Sequence, residues 1–279
     1  MSDLKNVMNI LHDDAEARYN NFQILNITSI KSISEDSYLE APVWVGGDQK
    51  FACLFIDLDG SSKRSFKSHP KTMAQIYDYF TQSLFDVMSN ELFKADYLDI
   101  KGDGVFGIYE GGDAVLRAFV AAKTFSTFFD EYIRPKFQAE GQPMNFKAAI
   151  HYDKLLVKRI GTRGARNNNE VWAGRLVNKA AKLCSVTKDI YENTKIKDSE
   201  HGLLVVSHPV YQALKVKSDY TIMSCGHTDS GENGGGNPVN LWQTYGTNHI
   251  VDLLEDEVYY NQSNWCKICG DSFIDQILS

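Results

Sequence analysis

The chain has 279 residues, 43% of them hydrophobic and 23% charged, a composition suited to a globular protein with a sizeable core. Its 36 acidic against 29 basic residues leave a net charge of −7, which speaks against nucleic-acid binding through bulk charge. No apolar run approaches the roughly 18 residues that span a bilayer, and the first residues lack the unbroken apolar stretch of a secretory signal, so a cytoplasmic protein without membrane contact is expected. The 5 cysteines are then expected as reduced thiols rather than a disulfide framework.

Residues 1–47 open with helical spacing at Leu4, Val7, Met8 and Leu11 and close at Gly46-Gly47, which suggests an N-terminal helical arm for packing or dimerisation. Next, Phe51 to Leu58 is an apolar run interrupted by Asp57 and followed by Asp59-Gly60-Ser61-Ser62; it reads as a buried strand with an acid near its tip. Such an acid can hold a cation, and Gly60, Ser61 and Ser62 offer backbone N–H groups to a phosphate, although the same residues also suit an ordinary turn and helix cap. Pro70 opens a long helix with Met73, Ile76, Tyr77, Phe80, Leu84, Val87, Met88 and Leu92 on one face. Tyr97 to Ile100 and Val105 to Tyr109 flank Lys101-Gly102-Asp103-Gly104, a hairpin with an acid at its tip.

Asp113 reads as the N-cap of an apolar helix over 114–129. Strands are expected over 146–152 and 155–160, then an Arg- and Asn-rich loop over 161–169, then a helix from Trp172 that sets Asn178 and Lys182 four residues apart on one side. A strand over 203–207, a short helix over 209–214, a glycine-rich loop over 231–236 and a last strand over 239–245 follow. Near the end, Cys266 and Cys269 form a Cys-x-x-Cys turn that Cys225 and His227 would complete as a zinc site, the alternative being reduced thiols.

A strand ending in Asp57, then a helix, then a hairpin carrying Asp103 is the order expected when two acids meet at neighbouring loop ends of one antiparallel sheet. Two carboxylates about 4 Å apart repel by roughly 4 kcal/mol at an effective dielectric of about 20, which calls for a divalent cation between them.

From Phe51 to about Tyr245 the chain resembles the catalytic domain of the class III nucleotidyl cyclases. The resemblance rests on Phe55-Ile56-Asp57-Leu58-Asp59-Gly60, Ile100-Lys101-Gly102-Asp103, Ala149-Ile150-His151 and Val177-Asn178-Lys179-Ala180-Ala181-Lys182-Leu183, in that order. Within the class it is most similar to the pyrimidine cyclases of bacterial anti-phage (Pycsar) signalling. This resemblance implies an α+β, ferredoxin-like fold, an antiparallel sheet covered by helices, and a head-to-tail homodimer with its sites between subunits. It divides the chain into the arm, a catalytic domain over 48–247 and a C-terminal extension over 248–279. It further implies two divalent cations, Mn²⁺ or Mg²⁺, held by Asp57, Leu58 and Asp103, and a triphosphate held by Leu58, Gly60, Ser61, Ser62 and Lys154. Asn178 and Lys182 would serve the transition state from the partner subunit, with lysine at 182 lacking the guanidinium fork usual there. An extra residue lies between Trp172 and Asn178 relative to the family pattern.

The implied reaction makes a 3′,5′-cyclic nucleotide and pyrophosphate from a nucleoside triphosphate, the product being read by a separate effector protein. Asp99 stands at the base-reading position, where a carboxylate only accepts hydrogen bonds. It suits the N3–H of uracil or the N1–H and amine of guanine and disfavours adenine, while Tyr97, two residues away on the same strand face, shrinks the pocket against a purine. UTP is therefore expected first, GTP second and CTP third; a guanylate cyclase and a catalytically silent nucleotide-binding domain are the alternatives.

Overall fold

The computed structural model describes residues 2–21, 24–27, 29–31, 42–45, 48–61, 64, 68–160, 169–194, 196, 202–216, 222–223, 239–240, 242–245 and 257–279. Helix α1 (Ser2–Asn20) leaves Leu4, Val7, Met8 and Leu11 exposed, and the short strands β1 (Leu25–Ile27) and β2 (Pro42–Val45) follow it. Strand β3 (Phe51–Asp59) is the centre of the fold. Ala52, Leu54, Ile56 and Leu58 enter one apolar cluster, while Phe51 and Cys53 enter another, so a period-two strand covered on both faces reads as a continuous apolar run. Helix α2 (Pro70–Met88) starts where proline suits a first turn: the Lys71 N–H is taken by His69 Nδ1, and Met73, Ile76, Phe80, Leu84 and Met88 are buried.

Strands β4 (Tyr97–Lys101) and β5 (Gly104–Tyr109) form the expected hairpin, whose two turn residues are Gly102, at φ +68°, and Asp103. Helix α3 (Ala114–Phe128) runs through a π turn at Phe129–Ile133 into α4 (Arg134–Ala139). Asp113 takes the N-cap position of α3 without making a cap hydrogen bond; its carboxylate pairs instead with Arg117 Nε at 3.1 Å, one turn along. Strands β6 (Asn145–Asp153), β7 (Leu155–Ile160) and β8 (Asn169–Ala173) precede α5 (Arg175–Asn193). The helix expected from Trp172 therefore begins later, because Trp172 pairs with Val157 in the β7–β8 ladder and Gly174, at φ +90°, turns the chain out of the strand.

Strand β9 (Leu203–Ser207) and helix α6 (His208–Val216) lie where expected. The single strand expected over 239–245 is divided: β10 (Ile222–Met223) pairs with β11 (Val239–Asn240), whereas β12 (Gln243–Tyr245) pairs with β13 (Val258–Asn261). Between the two pieces Trp242 is buried against Phe119 and Tyr211. Helix α7 (Gly270–Leu278) follows.

The main sheet has seven strands in the order β12-β13-β9-β6-β3-β5-β4, antiparallel except for the parallel pair β6–β9. A second sheet, β1-β2-β7-β8, has four strands. One face of the main sheet is covered by α2, α3, α4, α6 and α7; the other meets α5 and residues of β7 and β8. The boundary expected at residue 247 falls between β12 and β13, which are neighbours in one sheet, and β2 of the expected arm pairs with β7. Both terminal segments are thus hydrogen-bonded to the central unit.

Close packing at one sheet end supplies a stability test. A Cβ on Gly202 would lie 2.1 Å from the Phe146 ring, which is wedged between Phe125 and Phe129 with centroids 5.2 and 4.9 Å away. Gly202→Ala is expected to destabilise the protein by about 1–3 kcal/mol, read as a lower denaturant midpoint. An unchanged midpoint would mean that Phe146 moves freely.

Candidate active site

The ladder places Asp57 opposite Lys147 of β6, and it pairs Ile56 with Val105, the residue after Gly104. The hairpin tip closes tightly on this point: a Cβ at Gly104 would stand 3.2 Å from the Ile56 carbonyl oxygen and 3.3 Å from Asp57 Oδ1. A side chain there would wedge the tip away from the carboxylate. Asp103 Oδ2 is buried and has no hydrogen-bond partner. Burial holds the Asp57 carboxyl above the usual carboxylate range, and the charge of Asp103 acts in the same direction, with Lys147 opposing both. The two expected acids are therefore together.

Lys147 is the residue that sequence reasoning missed. Its Nζ lies 3.2 Å from Asp57 Oδ2 and 3.4 Å from Asp59 Oδ1. One ammonium does not offset the burial and mutual repulsion of the acids, since the Asp57 carboxyl stays raised with the lysine in place. An orphaned carboxylate oxygen beside a second carboxylate is a donor set that fits a divalent cation. Leu58, buried in the core, has only its main chain to add. Among the described residues no cluster of three or more His, Cys, Asp or Glu is placed to hold a metal. The zinc alternative reaches outside those residues, since Cys225 and His227 are not among them. Gly60, at φ +74°, turns the chain after β3, Ser61 is buried, and Ser62 lies outside the described residues.

Lys154 does not join the acids of its own protomer. It pairs with Asp48 and follows Asp153, which is opposite Phe51 in the ladder. Six strand residues, about 20 Å, separate that end from Asp57. The cation that stands beside the acids within one protomer is Lys147 rather than Lys154, and only the β3–β6 register reveals it.

Helix α5 runs from one end of these strands toward the other. At its start Arg175 Nε is 3.3 Å from Asp153 Oδ2; farther along, burial pushes the Cys184 thiol up, with the nearby charge of Asp57 adding to it. Asn178 precedes Cys184 by six residues, about 9 Å of helix. Asn178 and Lys182 are both exposed, and the Asn178 amide donates to the Gly174 carbonyl at 2.8 Å and to the Trp172 carbonyl at 3.4 Å. They face away from the sheet that carries the acids, so one protomer leaves the expected set divided.

Asp99, expected to read the base, accepts at Oδ2 from Trp172 Nε1 at 3.4 Å and pairs there with Lys101 Nζ at 2.8 Å, while Oδ1 accepts from the Ile100 N–H. The Tyr97 ring meets Trp172 edge-on at 4.9 Å, and Trp172 meets Phe106 at 5.2 Å. Tyr97 and Asp99 therefore share a face, as their spacing requires, and Trp172 joins them from β8. Sequence spacing gives no hint of that tryptophan's place, because by period it reads as the start of the following helix.

Comparison with known proteins fits this geometry. The chain is 32% identical over 254 residues to a uridylate cyclase from Propioniciclava tarda, covering 90% of this chain and 73% of that protein. A uridylate cyclase from Micromonospora echinofusca is 26% identical over 226 residues, covering 80% and 67%. Among solved structures, the adenylyl cyclase CyaB from P. aeruginosa aligns over 77% of this chain and 95% of its own, with 16% identity and a TM-score of 0.52. The guanylyl cyclase Cya2 aligns over 79% and 94%, with 15% identity and a TM-score of 0.56. No family model matches the chain. With the cyclase fold, the paired acids at neighbouring strand ends and this degree of identity, the chain belongs to the uridylate cyclase family and is a nucleotidyl cyclase.

Proposed function

We propose that the protein converts UTP to 3′,5′-cyclic UMP and pyrophosphate, working as a head-to-tail homodimer, and that the product acts as a second messenger in bacterial anti-phage defence by engaging a separate effector. The observation that carries the reaction is the Asp57–Asp103 pair with its orphaned buried oxygen. Identity to proteins named uridylate cyclase supports the base, and the defence role rests on the family resemblance.

Divalent cations held by Asp57, Asp103 and the Leu58 main chain would lower the pKa of the ribose 3′-hydroxyl and neutralise the triphosphate. In this reading Lys147 turns its ammonium from the acids to the phosphates, beside the turn at Gly60-Ser61. Asn178 and Lys182 of the partner subunit meet the charge that develops as the 3′-oxygen attacks the α-phosphorus in line and pyrophosphate leaves. Lys147→Met is expected to lower kcat by about 10²-fold, as for loss of one preorganised donor. A near-normal kcat would remove Lys147 from the phosphate site.

Uracil is favoured by Asp99 as an acceptor for N3–H, within a pocket narrowed by Tyr97 and Trp172. Guanine is the second reading, since Asp99 also suits its N1–H. A mismatched base costs roughly 1–3 kcal/mol, or about 10- to 10²-fold in kcat/KM. Purified protein with Mn²⁺ and each of the four nucleoside triphosphates is expected to turn over UTP first. Preference for ATP would reject the role of Asp99, and preference for GTP would reject the pyrimidine reading while keeping the enzyme.

A further inference from the structure

A cavity of about 190 Å³ opens at the sheet end opposite Asp57, lined by residues that the cyclase reaction does not use. There the parallel pair β6 and β9 both present their C-terminal ends, at Asp153 and Ser207. The first residues of α5 and α6, Arg175 and His208, line the same space, so two helix N-termini converge on it. Lys50 and Lys179 add two ammonium groups; neither has a carboxylate within ion-pair distance among the described residues. Arg175 is matched by Asp153 at 3.3 Å, and Glu257 at the rim accepts from the Tyr259 hydroxyl, which leaves the lining with one positive charge in excess.

His151 supplies the independent sign of a ligand. Its side chain is 4% exposed and lines the cavity; Nδ1 is 2.9 Å from Ser207 Oγ, and Nε2 is buried without a hydrogen-bond partner. In the tautomer with the Ser207 hydroxyl donating to Nδ1, Nε2 carries a hydrogen with no acceptor within hydrogen-bond distance, Asp153 Oδ2 standing off at 3.6 Å. Burial, partly opposed by Asp153, pushes the imidazole down to about 4, with Lys179 and Arg175 acting with burial, so the ring is neutral at physiological pH. Nor is Ser207–His151–Asp153 a hydrolytic relay: the Nε2 to Asp153 separation of 3.6 Å exceeds a hydrogen bond, and Arg175 already engages that carboxylate.

We propose that this cavity is a second anion site, distinct from the cyclising centre, that takes a small phosphate-type oxyanion on Lys50, Lys179, Arg175 and His151. Ammonium and guanidinium groups beside two helix starts, with an unmatched imidazole nitrogen, recognise a compact oxyanion carrying several acceptors. Occupancy bears on the reaction through α5. Arg175 and Lys179 flank Asn178 in the first turns of that helix, so an anion that ties them down also fixes the helix from which Asn178 and Lys182 project. The anion has two sources, free phosphate or the pyrophosphate that the reaction releases.

The test is calorimetric titration of the full chain with inorganic phosphate and with pyrophosphate, without metal or nucleotide. Saturable binding of one anion per chain is expected. A Lys50→Gln, Lys179→Gln double variant is expected to bind at least about tenfold more weakly, the loss of one charge-assisted hydrogen bond. The variant Lys147→Met, Lys182→Gln, which strips cations from the cyclising centre, is expected to keep wild-type affinity. Tighter binding of pyrophosphate assigns the site to the product, and binding of phosphate at least as tight assigns it to free phosphate. In ¹⁵N-histidine spectra, added anion is expected to shift the His151 Nε2 resonance. The proposal is overturned by absence of saturable binding, by the reverse pattern between the two variants, or by binding that leaves the His151 resonance unmoved.

Discussion

Asp57→Ala and Asp103→Ala are each expected to lose turnover at least as completely as the roughly 10²–10³-fold that follows removal of one preorganised donor, while remaining folded. Each substitution takes one carboxylate from a pair at neighbouring strand ends and leaves the apolar face of β3, formed by Ala52, Leu54, Ile56 and Leu58, intact. The isosteric Asp57→Asn separates activity from stability. Because the Asp57 carboxyl is raised in the folded protein by burial and by Asp103, the native state binds more protons than the unfolded chain between the unfolded and folded values. Stability therefore falls as pH rises through that window, and an ionised Asp57 burdens the fold at neutral pH. Asp57→Asn is expected to melt no lower than the unaltered protein at pH 7, despite losing the contact to Lys147 Nζ at 3.2 Å. Retention of more than a few per cent of turnover by either alanine variant would overturn the assignment of these acids, whatever their melting temperatures.

Mixing Asp57→Ala with Asn178→Ala, each inactive alone, is expected to restore about a quarter to a half of the activity per site once subunits exchange, because one of two shared sites in each heterodimer then has both its acids and its asparagine. The reason lies in the single protomer. Asn178 is exposed on α5 and faces away from the sheet, and Lys182, one turn later, is exposed with it. The carboxylates sit under the β4–β5 hairpin, against Lys147. The proposed head-to-tail dimer would bring one subunit's exposed helix to the other's acids. The measurement is turnover of the mixture against each variant alone, with exchange followed by differently tagged subunits. No recovery despite verified exchange would place the complete site within one chain.

Much of this was legible because the signals are local. The apolar run from Phe51, the proline that opens α2, and the hairpin around Gly102-Asp103 are decided by period, ring constraint and turn chemistry over a few residues. The meeting of Asp57 with Asp103 was also legible, since adjacent antiparallel strands leave their loop ends together. Register was not. Lys147 and Lys154 are seven residues apart on one short stretch, and only the β3–β6 ladder shows that Lys147 stands opposite Asp57 while Lys154 follows the residue opposite Phe51. Trp172 reads equally well as a helix or strand residue; its place beside Asp99 is decided by pairing with β7 and by the left-handed turn at Gly174. Likewise β13 looks like part of a tail until it is seen paired with β12 and with the far more distant β9, because joining a sheet depends on backbone partners outside the local window, which leave no periodic trace in the sequence. Sequence alone therefore determined which elements form and which acids end them, and tertiary structure decided which cations face those acids, since long-range ladders set side-chain neighbours that local spacing does not encode.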